Sequence, residues 1–228
     1  FGIFPWHVLP ATGGIGMDVG CGSGRWASVV APRGEKLYLL DASKNALSVA
    51  KKRLKNTNVE FICKPIDEQM FSENALDFAY SLGVLHHLPD TERAISAIYK
   101  ILKPGAPFLI FLYYKFDNKP WLFKLLWRMS EGLRYVISRL PFFLRSFICE
   151  VIACAVYWPL ARIARWLEKH GKLPGAWPLA FYRNKSLYTM RTDALDRFGT
   201  RLEQRFTKIE IELMLKKAGF ESIAFSKG

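Results

Sequence analysis

Two groups of residues in this chain have types and spacing suited to chemistry. The first is Asp18-Val19-Gly20-Cys21-Gly22-Ser23-Gly24, an acid followed by three alternating glycines. Glycine lets backbone approach backbone or a ligand where a Cβ would clash, and it tolerates positive φ. Set between an apolar run and a helix predicted over residues 25–31, such a turn is a docking place for a nucleotide-like ligand. The second group is His86-His87, adjacent imidazoles that titrate near neutral pH and can take a proton from a reacting group. Spacing disfavours one chemistry. A dinucleotide fingerprint needs Gly-x-Gly-x-x-Gly. Counted from Gly20 the sixth position is Arg25, and the third glycine comes one residue early at Gly24, so hydride transfer to a nicotinamide is not expected.

These residues need strands and helices to hold them. Residues 15–19 read as a first strand. Residues 35–40 form a second that is apolar throughout, as a strand covered on both faces should be, and it ends at Asp41. Ser43 is placed to cap a helix to Leu54 with Ala46, Leu47, Ala50 and Leu54 on one face. Residues 59–63 and 75–81 are strands three and four. Thr91 caps a helix with Ala94, Ile95, Ile98, Ile101 and Leu102 at core spacing. Lys103-Pro104-Gly105 ends it before a fifth strand at 107–114. Strands alternating with helices predict an α/β fold with a doubly wound, mostly parallel sheet.

The alternation stops at Lys115. Residues 121–140 read as an amphipathic helix with Lys124, Arg128, Glu131 and Ser138 at helical spacing. Residues 141–155 are apolar apart from Arg145 and Glu150, and 159–170 read as a separate helix with Arg162, Arg165 and Lys169 on one face, stopped by Gly171. Residues 188–199 are mixed and not assigned. Thr207 to Glu210 is a capping box that opens a helix through Lys217, closed by Gly219, before a sixth strand at 221–225. The predicted domains are an α/β core at 1–114, a helical insertion after strand five at 115–206, and a helix and strand completing the core at 207–228.

In this order and with these gaps the pieces resemble the class I methyltransferases that use S-adenosylmethionine (SAM), and among them the small-molecule group of ubiquinone and menaquinone type. The acidic-x-Gly-x-Gly-x-Gly pattern is similar to that family's first motif. Leu37-Tyr38-Leu39-Leu40-Asp41 resembles its second strand, whose acid holds the ribose hydroxyls. Residues 76–88 resemble its fourth strand and the segment after it, and Leu102-Lys103-Pro104-Gly105-Ala106 its turn into the fifth. The likeness covers about residues 15–114 and 206–225. It implies a Rossmann-like methyltransferase fold with SAM as cofactor. The donor would be held by Asp18, Gly20, Cys21, Gly22 and Gly24, by Asp41 and Ala42, by Ile66 and Asp67 at the adenine, and by Ser81 and Leu82 at the end of strand four. His86 and His87 would lie at the acceptor as candidate bases. Alternatives stay open: Asp41 as a carboxylate favoured by a helix dipole, Asp18 as a buried acid satisfied by loop amides, Asp67 as a surface acid, and either histidine as packing. After strand three the family commonly carries a Gly-Asp pair, and Lys64-Pro65-Ile66-Asp67-Glu68 departs from it.

Length allows one domain with a large insertion. The net charge of +13 points to anionic partners. Between Lys115 and Pro174 eleven Lys or Arg face four Asp or Glu, and five of the seven Trp lie between Trp121 and Trp177. Basic charge with aromatics on an amphipathic helix marks an interfacial segment, so peripheral membrane contact is one expectation. A lid packed on the sheet with a solvated basic face is the other. Charges interrupt every window of about 18 apolar residues, so a spanning helix is not expected. Cys21, Cys63, Cys149 and Cys154 show no Cys-x-x-Cys and no histidine at metal-ligand spacing, which predicts reduced thiols, no metal and a cytoplasmic location. The chain begins at Phe1 and stops after a strand-like run, so both ends read as cut. The expected function is methyl transfer to a small or lipophilic acceptor, quinone-, phenol- or isoprenoid-like. A nucleic-acid methyltransferase and a non-catalytic SAM-fold binding protein are the alternatives. Against the former, Ser81-Leu82-Gly83-Val84 stands where an Asp/Asn-Pro-Pro-aromatic motif would be.

Overall fold

A computed structural model describes residues 4–55, 58–66, 71–116, 121–175 and 177–226. Five strands, β1 (Ile15–Val19), β2 (Lys36–Leu40), β3 (Val59–Ile62), β4 (Phe78–Leu82) and β5 (Phe108–Phe111), pair in parallel in the order β3-β2-β1-β4-β5. Asp18 is in register with Leu39 on one side and Tyr80 on the other. Strand order reverses between β1 and β4, and that reversal opens a crevice at the carboxyl ends of the strands. The helices are α1 (Ala27–Val30), α2 (Lys44–Arg53), α3 (Thr91–Ile101), α4 (Trp121–Ile137), α5 (Phe142–Ile152), α6 (Trp158–Lys169), α7 (Leu187–Gly199) and α8 (Lys208–Ala218). They form two compact units. The α/β unit comprises Phe1–Asp117 with Leu202–Gly228, and the helical unit is Asn118–Arg201.

Period-2 alternation places the strand side chains of the α/β unit in two cores. Met17, Val19, Leu40 and Ala79 pack with Ile95 and Ile98 of α3 and Leu215 of α8. Leu37, Leu39, Phe78 and Tyr80 pack on the other face with Ala27, Val30 and Leu47. Each such large side chain contributes roughly 1.5–3 kcal/mol when removed from water, and burial on both faces explains why the strands read as apolar runs. Ser43 caps α2 by accepting from the Ala46 amide at 3.2 Å. At α3 the cap is Asp90, which accepts from the Arg93 amide at 2.8 Å, and not Thr91. Thr91 instead turns its hydroxyl inward to the Leu85 carbonyl, 2.8 Å away.

The predicted sixth strand does not form. Residues 221–226 carry no strand pairing, and Ser222 sits at φ +52°, a left-handed backbone that interrupts extended geometry. Strand four starts at Phe78 because the amides of Ala75 and Leu76 are taken by the Ile101 carbonyl, both at 2.9 Å.

In the helical unit, residues 142–169 form one continuous helix where the sequence predicts a break at Pro159. Proline lacks an N–H and its ring crowds the carbonyl four residues back, here Ala155. A π-helical turn at Ala153–Tyr157 lies at that carbonyl and lets the helix continue. The unassigned stretch is α7. Its Met190, Ala194 and Phe198 recur at i, i+4 and i+8 and bury against Cys149, Ala153, Tyr157 and Ala161. Glu131 joins α4 to α7 by pairing with Arg134 at 2.9 Å and Arg197 at 2.5 Å.

Candidate functional site

The glycine loop closes onto the end of β2 through its own backbone. The amides of Gly20 and Cys21 both donate to the Leu40 carbonyl, at 2.8 and 3.0 Å. Gly22 then donates to Asp41 Oδ2 at 2.9 Å, while Asp41 Oδ1 accepts from the Ser43 amide at 2.8 Å. Asp41 thus ties the loop after β1 to the start of α2. Each carboxylate oxygen has a second lone pair for a further donor such as a hydroxyl. All three loop glycines have positive φ. They differ in what a side chain would meet. A Cβ on Gly20 would strike Val84, whereas one on Gly22, at φ +53°, would meet nothing in the chain. Gly20 is required by packing, and Gly22 keeps a backbone surface bare.

Asp18 lies one residue inside the end of β1 and is 3% exposed. Burial raises its carboxyl to about 7, against the Tyr80 hydroxyl beside it and helped by the Asp41 charge. The Cys21 thiol is also pushed up by burial and by the two aspartates. Its side chain is inert packing beneath the loop. At the neighbouring edge the Ser81 hydroxyl donates to the Val19 carbonyl at 2.9 Å, which fixes β4 against β1 where the crevice opens. Ser81 is fully buried, so its side chain holds the site's frame. Leu82 ends β4, and Ala42 is exposed beside Asp41. Ile66 is half-buried against the sheet core, and Asp67 lies outside the described residues.

The two histidines differ. His86 is 0% exposed and stacks on Tyr113 with ring centroids 3.8 Å apart. A base must touch what it deprotonates, and in this arrangement both the His86 ring and the Nε2 of His87 are closed off from solvent. His87 is partly exposed, and its Nδ1 lies 2.8 Å from the Leu202 carbonyl. A carbonyl can only accept, so Nδ1 carries the proton and Nε2 is the basic nitrogen.

Sequence reasoning missed the groups that hold this pair. Gln204 donates its backbone amide to the His86 carbonyl at 2.8 Å and its side chain to the Leu88 carbonyl at 2.5 Å. Arg205 pairs with the buried Glu203 at 2.8 Å and lies 5.0 Å over the Tyr113 ring. These partners come from the far end of the chain, where no local pattern marks them. A surface concavity lined by Trp6, Leu9, Gly13 and Arg33 sits at the amino ends of β1 and β2, the wrong end of a parallel sheet for a ligand.

Residues 17–110 match a family described as a methyltransferase domain. The chain is 37% identical over 103 residues to phosphoethanolamine N-methyltransferase 2 of Caenorhabditis elegans, a match covering 43% of this chain and 24% of that protein. It is 32% identical over 142 residues to a ubiquinone biosynthesis O-methyltransferase of Alkalilimnicola ehrlichii, covering 59% of this chain and 55% of that one. The chain therefore spans little more than half the length of these curated relatives at most. Among solved structures it is similar to the YcgJ protein of Bacillus subtilis, with 21% identity, a TM-score of 0.48, and 56% and 55% of the two chains covered. The matched stretch begins inside β1 and runs to β5, the same strands that carry the glycine loop, Asp41 and the β4 edge, and this part of the chain is a methyltransferase domain of the class I SAM-dependent kind.

Proposed function

We propose that the chain is a methyltransferase that transfers the methyl group of SAM to a small or lipophilic acceptor, quinone-, phenol- or isoprenoid-like. One observation carries the reading. Asp41 is held by the Gly22 and Ser43 amides at the rim of a bare glycine backbone, at the crevice of the sheet. These residues fit SAM. Asp41 offers acceptor capacity for a ribose diol, the Gly20–Gly24 turn offers a surface that no side chain fills, and Asp18 offers a carboxyl beneath the loop for a cationic amino group. SAM supplies a methyl group on a sulfonium, a leaving group already activated by its charge. The chain's task is then to position the acceptor and to remove a proton when one must leave. His87, the more exposed of the two rings, is the candidate for that proton, with Leu202 holding the tautomer. Tyr113 and the Arg205 guanidinium above it support the histidine from behind. The curated relatives act on nitrogen and on oxygen acceptors, so the acceptor atom does not follow from the family. A cytoplasmic setting suits the four free thiols.

Calorimetry with SAM and its demethylated product tests the donor site. Asp41→Ala should weaken SAM binding by about 1.5–3 kcal/mol, the range for a hydrogen bond to a charged group. Circular dichroism checks that the variant is folded. Wild-type affinity in folded Asp41→Ala would place the ribose elsewhere, and a wild type that binds neither molecule defeats the reading. A panel of quinol, phenol and isoprenoid acceptors with labelled SAM then tests the transfer.

A further inference from the structure

Most of the chain's net charge lies in the helical unit. Asn118–Arg201 holds fifteen Lys or Arg against five Asp or Glu, which is +10 of the total of +13. Glu131 is matched by Arg134 and Arg197, Glu150 by Arg191 at 2.9 Å, and Glu168 by Arg183 at 2.7 Å. Arg128, Arg165, Lys169 and Lys172 are exposed and make no ion pair among the described residues.

The same unit turns large apolar side chains outward. On α4, Trp121 is 76% exposed and Met129 63%, with Leu125, Leu133 and Val136 also open. At 3.6 residues per turn these five fall within an arc of about 120°, and no charged residue of α4 shares it. On α5, Phe143 is 78% and Phe147 61% exposed, and Val151 and Trp158 follow along the helix. Cys149, Ala153, Tyr157 and Ala161 are buried against α7. An apolar surface of this extent, rimmed by charge, marks a docking site.

Charge and apolarity together select the occupant. A second copy of the chain would bring another helical unit of net charge +10 against this one and be repelled. A polynucleotide would match the charge and leave the aliphatic faces in water. A bilayer with anionic headgroups satisfies both, since phosphates meet the cations and the acyl boundary meets the apolar arcs. The run Phe142–Lys169 is long and apolar enough to cross a membrane. Its buried face, however, packs on α7, which carries Arg191, Asp193, Asp196 and Arg197, and crossing would draw those charges into hydrocarbon. We propose that the helical unit is a monotopic docking surface for an anionic lipid bilayer. The outward faces of α4 and of the Phe142–Lys169 helix enter the headgroup–acyl boundary, and Arg128, Arg165 and Lys169 meet lipid phosphates. Vesicle binding needs neither cofactor nor acceptor, so the surface stands or falls apart from methyl transfer.

Flotation of the full chain with phosphatidylcholine vesicles, with or without phosphatidylglycerol, tests it at low and high salt. The wild type should float with the anionic vesicles, with a blue shift of tryptophan emission, and should bind at least about tenfold less at high salt or without anionic lipid. Arg128→Glu with Arg165→Glu and Lys169→Glu should lower binding by more than about tenfold. Phe143→Ser with Phe147→Ser should lower it by a similar factor through lost apolar burial. Lys51→Glu with Lys52→Glu on α2 should bind like the wild type. Both test sets alter exposed side chains, so if one fails to fold the other decides. The proposal is overturned if the wild type stays unbound with anionic vesicles. It is likewise overturned if a folded test variant binds undiminished, if RNA competes the vesicles away, or if the wild type is a stable dimer whose formation the Phe143/Phe147 variant abolishes.

Discussion

Asp18 and Asp41 show how one residue type takes opposite duties from its surroundings. Asp41 is partly open and accepts from two amides, which leaves lone pairs facing the crevice for a ligand's hydroxyls. Asp18 is buried beside Tyr80 and near a second acid, so its proton is retained to about pH 7. The pH consequence has a definite sign. Between the unfolded value near 3.8 and the folded value near 7 the native state binds more protons than the unfolded chain. Asp18 therefore contributes stability that is fully present below about pH 4 and is lost as pH rises through 7. The difference between the two states amounts to roughly 4 kcal/mol. Urea melts of Asp18→Asn and wild type across this range should show the wild type losing stability relative to the variant as pH rises. A constant difference would mean that Asp18 ionises as it does in water. At this scale the sequence shows the loop because its glycines and Asp41 act within one strand-turn-helix unit. It does not show that His86 is sealed in, because the Gln204 side chain that binds beside it reaches across 116 positions to Leu88.

Elements were legible where their signals are local and lost where tertiary context overrides them. Four of the five strands are bounded as the apolar runs predict to within about a residue at their starts, and the misplaced start of β4 reflects a carbonyl of α3 competing for its amides. The Pro159 break was a sound reading of proline that the π turn defeats. Helix α7 was missed because its cap Ser186 accepts from the Thr189 amide without an acidic partner three residues on. The Met190-Ala194-Phe198 spacing was the available sign. Helix α8 is the opposite case. Thr207 accepts from the Glu210 amide at 3.2 Å and Glu210 accepts from the Thr207 amide at 2.7 Å, so the capping box stands as predicted. Glu210 is also bonded to Lys115 at 3.0 Å, and both contacts hold its carboxyl below the usual range. Thr207→Ala should lower stability by about 1 kcal/mol, the typical value for a lost cap, read as a shift in urea midpoint at constant slope. No shift would mean that packing of α8 on α3 fixes the helix start without the cap.

At the scale of the whole molecule, the α/β unit is interrupted by the helical unit yet closes on itself. The chain leaves it after Asp117 and returns at Leu202. Its two sides are stitched together at that seam: Lys115 donates to the Phe206 carbonyl at 3.1 Å, Phe206 to the Tyr113 carbonyl at 2.9 Å, and Arg205 to the Tyr114 carbonyl at 3.2 Å. Among the described residues, both sheet cores, the glycine loop, Asp41 and the contacts of His87 with Leu202 and Tyr113 are made by residues of this unit. The helical unit has its own buried cluster around Tyr157 and Met190. Because the ends already meet, a linker of about ten Gly and Ser residues, at about 3.5 Å each, can bridge Phe116 to Leu202 with slack. Loop-closure entropy varies slowly with length, so replacing 84 residues by ten changes it by little more than about 2 kcal/mol, in the stabilising direction. The expectation is that a chain with 118–201 replaced by such a linker unfolds cooperatively and binds SAM with an affinity near that of the full chain. It should no longer float with anionic vesicles, having lost ten of the thirteen net charges. Thermal unfolding with and without the demethylated cofactor measures the first part, since a ligand at a hundred times its Kd adds about 2.7 kcal/mol to the state that binds it. A linked core without a cooperative transition would show that the helical unit is needed to fold the donor site. A folded core without ligand stabilisation would show that the donor site draws on the helical unit, and the division of labour between an α/β methyl-donor module and a basic, apolar docking module would fail.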